Sequence, residues 1–401
     1  MNHVRNETDR TEIKMKIPFG MIDDKTLKLT RAWIGDPLAS GQLTEGPLTR
    51  EFERQFAAKF GWKYAIATSS GTTAGEVVWA AIRELRGGFD RLGGASTFGE
   101  VLTPACAFVS TASCILASGS IPHFVDIEAT TLNIAADEID KALGRWPDGF
   151  CGIQHVATMG SLIPLKAIAD LAEGSELHIV CDLCEAHGAR LDGELPNAYL
   201  DAAIYSLYPA HMVVGVEGGV ICTDNEKIAS LCRSVKSHGR PEGSNYFDFQ
   251  RVGFNAKWSD LHACVGLASL EGFDERFAKR RWVRQRLLEE LSRFEDEIIL
   301  YRDGPDEIIA PHAFPVVLRK DGSDTVVGLR SYLDGHEIEV KTLFGSLPTQ
   351  HKAFEFLGHS LGDFPVAERI GRTGLHFGCG EFMEEEHVKF IGHVFDKFFS
   401  K

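Results

Sequence analysis

A chain of 401 residues is long enough for two domains, or for one large α/β domain with an appendage. Its 44% apolar and 25% charged residues are those of a globular protein, and a formal charge of −15 argues against nucleic-acid binding, which needs basic faces. No apolar run reaches membrane-spanning length, so no membrane partner is expected.

The first residues carry charges with no apolar segment behind them, unlike a signal peptide, and residues 1–16 read as a flexible tail. Leu48, Phe52, Phe56 and Phe60 recur four apart and predict one apolar helix face over 48–60. A strand follows at 64–67, then a Ser/Gly/Thr turn, then a helix through Val77, Val78, Trp79 and Ile82. Strands are expected at 101–102, 123–126, 152–155, 178–181, 203–206 and 219–222, and helices at 109–118, 136–143, 164–173 and 226–237. This alternation predicts an α/β fold with a mostly parallel central sheet flanked by helices. Residues 86–99 read as an exposed loop. From about Trp258 the pattern changes to long helices rich in Arg and Glu over 259–295. Strands then follow at 314–318 and 337–340, with helices near 323–335 and 385–399. The chain therefore divides into a large domain at 17–270 and a smaller C-terminal α+β domain at 271–401.

The nine cysteines are odd in number and dispersed, which fits free thiols in a reducing cytoplasm. Cys181 and Cys184 form a C-x-x-C. No second such pair or His pair has matching spacing, so they read as small apolar residues at a strand end and no metal site is expected.

Five places carry candidate chemistry. Residues 69–73, Ser-Ser-Gly-Thr-Thr, lie between a strand and a helix. Gly71 allows close backbone approach, and a first helical turn offers amides to a phosphate; the same composition caps many helices. Asp182 ends an apolar strand, where ligands bind in open α/β sheets. It reads either as a partner for a protonated pyridine nitrogen or as a cap for a following helix, with Glu185 three residues on. Ser206 ends another strand and can offer a hydroxyl. His211 follows at a turn before Glu217, Gly218 and Gly219; a lone histidine is more often structural than catalytic. Phe108 can cover a flat ring or simply join the core.

Taken in order, these motifs are Gly46 to Glu53, Ser69 to Thr72, Pro104 to Phe108, Phe124 to Asp126, Asp182 to Gly188, Ser206 to His211, Glu217 to Gly219, His238-Gly239 and Gly253 to Asn255. The series resembles the sugar aminotransferase family (DegT/DnrJ/EryC1/StrS type) of fold-type I pyridoxal-phosphate enzymes, over roughly residues 20 to 400. Residues 206–211, Ser-Leu-Tyr-Pro-Ala-His, look like the cofactor-attachment segment with histidine in place of lysine. An amine can join covalently to the cofactor aldehyde; an imidazole cannot, but it moves protons near neutral pH. Histidine there, with Glu185 where the family usually carries Gln, resembles the 3-dehydratase branch. One departure is that residues 238–253 contain no cysteine, whereas an iron–sulfur cluster needs about four.

The resemblance implies a dehydratase that removes the C3 hydroxyl of a nucleotide-linked 4-keto-6-deoxyhexose. Its cofactor would be pyridoxal or pyridoxamine phosphate, with no iron–sulfur cluster, and its amino donor L-glutamate. It implies that Gly71 and Thr72 bind the phosphate through amides and Ser206 through its hydroxyl. Asp182 would hold the pyridine nitrogen, Glu185 would lie near the ring hydroxyl, Phe108 would stack on the ring, and His211 would be the catalytic acid/base. Asn255 would reach the phosphate of the neighbouring subunit's cofactor, implying a homodimer with shared active sites. The 43–47 loop would face the sugar nucleotide. Two rivals stand beside this reading. One is a nucleotide-sugar aminotransferase with a relocated lysine, for which Lys236, Lys166 and Lys257 are the nearest in sequence. The other is a non-catalytic binding protein that keeps the fold.

Overall fold

In the computed structural model, residues 17–18, 22–88, 99–244, 246–320 and 323–400 are described. The expected N-terminal tail and most of the expected 86–99 loop lie outside the described residues. The centre of the large half is a seven-stranded sheet. Its strands are β1 (Tyr64–Thr68), β2 (Glu100–Pro104), β3 (Ile121–Val125), β4 (Phe150–Val156), β5 (His178–Asp182), β7 (Ala202–Ser206) and β8 (Gly219–Thr223), arranged in the order β1-β8-β7-β5-β4-β2-β3. A short β6 (Arg190–Leu191) pairs instead with β10 (Glu307–Ile308) from the C-terminal half. β4 is buried along its whole length, as a strand covered on both faces must be.

Strands β2, β3, β4, β5 and β7 run parallel. β8 runs antiparallel to both of its neighbours, β1 and β7. The reason lies in the connection. Helical crossovers return a strand in the same direction, whereas the segment 207–218 joins β7 to β8 without a helix and so reverses the chain. This reversing loop carries His211.

Helices cover both faces. Pro47–Phe60, Ala136–Arg145, Leu165–Ala172 and Asp260–Glu271 contribute to one core, through residues such as Phe52, Ile139, Leu165 and Leu267. Gly71–Leu85, Ser110–Ala117 and Glu226–Val235 build the core on the other face around Val77, Ile115 and Ile228. The helix Pro47–Phe60 shows how sequence sets these elements. Pro47 opens it, its phenylalanines form the buried row, and Gly61 closes it at φ 74°. Burying Phe52, Phe56 and Phe60 is worth about 1.5–3 kcal/mol for each ring.

The C-terminal half is an antiparallel sheet of β9 (Ile298–Leu300), β11 (Ala313–Leu318), β12 (Val340–Thr342) and β13 (Gly374–Gly378), in the order β12-β13-β11-β9. The helices Ser323–Gly335 and Glu385–Phe399 contribute to its core, around Phe314, Phe377 and Phe395. The strand expected at 337–340 starts later, at Val340, because Glu337 takes φ 63° in the turn that ends the preceding helix. Ile338 forms a bridge to Ile17, and Ile17 is buried in this C-terminal core. The helix Phe273–Leu291 joins both halves, with Phe273 in the core of the large half and Val283 in that of the small.

Candidate active site

The carboxyl ends of β1, β5 and β7 meet the start of the helix Gly71–Leu85. Gly219 pairs with Thr68 on one side and Ser206 on the other, so the two strand ends flank it. A Cβ on Gly219 would overlap the Ser70 carbonyl and lie 2.7 Å from the Gly71 amide. Glycine is therefore what lets β8 pass under the turn. Gly71 is close-packed but less tightly, since a Cβ there would sit 3.0 Å from Ser206 Cβ and 3.4 Å from Cys184 Sγ.

The turn itself is a capping box. Thr73 N–H donates to Ser70 Oγ at 3.0 Å and Ser70 N–H donates to Thr73 Oγ1 at 2.9 Å. This satisfies the outer amides and leaves those of Gly71 and Thr72, the first two of the helix, without a protein acceptor among the described residues. Two adjacent amides at a helix start are a place for an anion.

Asp182 is half-buried, and Oδ1 accepts the Cys184 amide at 3.0 Å. No helix follows it, so the capping alternative is corrected: its local contact closes a turn. Burial pushes its carboxyl above the ordinary range, outweighing the hydrogen bond to Cys184. A carboxylate in that state gains from a cationic partner. Glu185 Oε2 accepts the Met159 amide at 2.6 Å, and burial pushes this carboxyl up to about 8.

His211 is half-buried in the β7–β8 loop, with its amide donating to Tyr208 O at 2.9 Å. Its ring stacks on His312 at 4.9 Å and on His187 at 6.0 Å. Nδ1 is buried without a hydrogen-bond partner. Burial first, and then the Arg280 charge, pushes the imidazole down to about 3, so the ring is neutral at physiological pH.

A model of the DegT/DnrJ/EryC1/StrS aminotransferase family matches residues 28–396. The chain belongs to this family. It is thereby a pyridoxal-phosphate-dependent enzyme of the sugar aminotransferase type. The dTDP-4-dehydro-2,6-dideoxy-D-glucose 3-dehydratase of Saccharopolyspora spinosa is 28% identical over 391 residues, spanning 89% of this chain and 82% of its own. Two solved structures share the fold. The aminotransferase from Psychrobacter cryohalolentis has a TM-score of 0.85 at 21% identity, covering 96% of this chain and 99% of that one. The E. coli GDP-4-keto-6-deoxy-D-mannose-3-dehydratase with bound hydrated PLP has a TM-score of 0.83 at 22% identity, covering 95% and 99%.

In this aminotransferase-family chain, the structure gathers Gly71, Thr72, Asp182, Glu185, Ser206 and His211 around the strand ends. Asn255 is exposed and bridges to Ser237; the next residue, Ala256, accepts the Ser69 amide at 3.0 Å, so Asn255 flanks the 69–73 turn. Phe108 is exposed after β2 and meets Phe344 edge-on at 6.0 Å. The thiols of Cys181 and Cys184 are pushed well above their usual range, by burial and then by Asp182.

None of the three lysines stands in the β7–β8 loop. Lys236 is buried, donates to Ala67 O at 2.9 Å, and pairs with Glu45 at 3.0 Å and Glu53 at 3.4 Å. Lys166 pairs with Asp170 on the surface, and Lys257 is exposed. The 43–47 loop is tied down by Asp260, which takes the amides of Gly46, Leu48 and Thr49 and the Thr49 hydroxyl. Sequence reasoning missed Asp260, His187, His312 and Arg280. His187 lay inside a quoted motif and could have been found there. The other three reach the site from distant segments and carry no local signal.

Proposed function

We propose that this chain is a 3-dehydratase of a nucleotide-linked 4-keto-6-deoxyhexose that works with pyridoxal or pyridoxamine phosphate and takes its amino group from L-glutamate. The observation that carries this reading is His211. An imidazole stands in the β7–β8 loop beside the ends of β5 and β7, where the aminotransferases of the family would carry an amine.

The residues fit the cofactor. The unbonded amides of Gly71 and Thr72, with the Ser206 hydroxyl, would hold its phosphate. Asp182 would pair with the ring nitrogen and lose its unfavourable isolation, with Glu185 near the ring hydroxyl and Phe108 against the ring. When bound, the cofactor supplies an amine for the C4 ketone of the sugar and a ring that takes up electrons. His211 would do the proton transfer. Its Nδ1 is buried, which leaves Nε2 as the nitrogen that would accept a proton and deliver it, directly or through water, to the departing C3 hydroxyl. Burial and the Arg280 charge keep the ring in its neutral form, the form able to accept a proton.

Residues 238–253 hold no cysteine and the nine thiols are free, which supports a route without an iron–sulfur cluster and a cytoplasmic setting. Among the described residues no helix is long and apolar enough to cross a membrane. Tyr246 and Phe247, each 82% exposed, precede Asn255 by nine and eight residues and support a homodimer that closes the site.

The test uses pyridoxal phosphate, glutamate and GDP-, CDP- and dTDP-linked 4-keto-6-deoxyhexoses. A product one oxygen lighter supports the dehydratase; a 4-amino sugar identifies an aminotransferase. His211→Asn should keep its cofactor and lose ~10²–10⁴ in turnover. Normal turnover in that variant overturns the assignment.

A further inference from the structure

A reactive imidazole is ordinarily oriented by a hydrogen bond on its second nitrogen. His211 has no such bond, since its Nδ1 is buried and unpartnered. Other rings hold it instead. His312 stacks on it at 4.9 Å with 30° between planes, and His187 at 6.0 Å with 17°.

His312 belongs to the C-terminal half, immediately before β11. Its segment is brought to the site by a backbone contact. Ala310 N–H donates to Gly160 O at 3.1 Å, and Gly160 takes φ 86° where any Cβ would overlap the Ala310 carbonyl. From there the edge of the His312 ring meets Glu185, with Nε2 at 3.5 Å from Oε1. The other oxygen of Glu185 is fixed by Met159 at 2.6 Å. One ring thus touches the face of His211 and the carboxyl of Glu185.

We propose that His312 is a positioning residue through which the C-terminal half of the chain holds His211 and Glu185 in their reactive geometry. The charges around it are consistent with that role. Burial first, and then the neighbouring His211, His376, Arg280 and His187, hold the His312 imidazole well below the ordinary range, so the ring stays neutral. A neutral ring can stay stacked when His211 takes a proton, whereas two cations at this spacing would separate. The proposal rests on the proton-transfer role given to His211, but not on the identity of the sugar.

Two variants separate the two contacts. His312→Phe keeps a ring face and loses the polar edge; His312→Gln keeps a polar edge and loses the face. Both are assayed as cofactor-loaded enzyme, for the glutamate half-reaction and for sugar turnover, and the His312→Gln crystal structure is determined. Each variant should bind pyridoxal phosphate as the parent does and lose kcat ~10-fold or more with KM unchanged, because misplacement of a reacting group acts on the rate. The His211 ring should turn out of its parental orientation in His312→Gln. A parental kcat in either folded variant, or an unmoved His211 ring in the crystal, overturns the proposal. If one variant does not fold, the other still reports kcat against KM, and a parental kcat there overturns the proposal. A parent enzyme that gives no lighter sugar sinks the dehydratase reading alone, because the half-reaction and the ring orientation still report on His312.

Discussion

Removing the Asp260 carboxylate would release the loop before the first long helix. Oδ1 accepts the Gly46 and Thr49 amides, each at 2.9 Å, and the Thr49 hydroxyl at 2.7 Å, while Oδ2 accepts the Leu48 amide at 3.2 Å. Asp260 and Thr49 are buried, so water cannot replace these bonds without opening the loop. A hydrogen bond to a charged group is worth about 1.5–3 kcal/mol, and four sharing one carboxylate are not additive, so the combined loss is about 3–6 kcal/mol. Asp260→Ala should therefore lower hydrogen-exchange protection of the Gly46, Leu48 and Thr49 amides by roughly 10²–10⁴. Gly46→Ala gives an independent route to the same state, because its Cβ would lie 2.6 Å from Asp260 Oδ2. If the loop faces the sugar nucleotide, both variants should raise KM for the sugar and leave the glutamate half-reaction untouched. Parental protection of these amides in Asp260→Ala would refute the reasoning. So would a rise in the KM for glutamate equal to that for the sugar.

Two further outcomes follow from the site. Gly71→Ala places a methyl 3.0 Å from Ser206 Cβ and should weaken pyridoxal phosphate binding ~10-fold at little cost in melting temperature; unchanged affinity would put the phosphate elsewhere. Glu185 has its folded value raised from 4.5 to about 8, so between those values the folded state binds the extra proton and stability falls as pH rises. Glu185→Gln should flatten that slope in melting experiments from pH 5 to 8, and an unchanged slope would show that another group titrates there.

Much of this site was legible because it is built from strand ends. Asp182 and Ser206 each close a run of apolar residues, and Gly71 opens a helix after another, so local pattern and topology together bring them to one edge. The direction of β8 was not legible from apolar runs alone, because it depends on whether the connecting segment folds as a helix. Asp182 was half legible: its place at the strand end was right, while the helix it might have capped is a turn. His312 and Asp260 were not legible at all. Each works by contact with a segment far away in sequence, and neither periodicity nor spacing encodes such a contact. Gly160 is the nearest thing to a signal, since its φ and its closeness to Ala310 are what admit His312, but its role is visible only once both segments are placed.

The same long-range packing bears on the missing lysine. A nucleophilic amine must be free of its proton and able to reach the cofactor aldehyde. Lys236 is the buried candidate, and its ammonium is occupied by Glu45, Glu53 and the Ala67 carbonyl. Swinging it towards the strand ends would strand Glu53, whose Oε1 also accepts the Ala67 amide at 2.8 Å, beside β1. Breaking a buried ion pair costs about 3–5 kcal/mol. It would also release Glu45, and with it an anchor of the 43–47 loop besides Asp260. Lys236 is thus tied to holding the loop, which supports the proposal that it takes no part in attaching the cofactor. An imidazole at 211 together with a lysine committed elsewhere favours a cofactor held by Gly71, Thr72, Ser206 and Asp182 without a covalent bond to the chain.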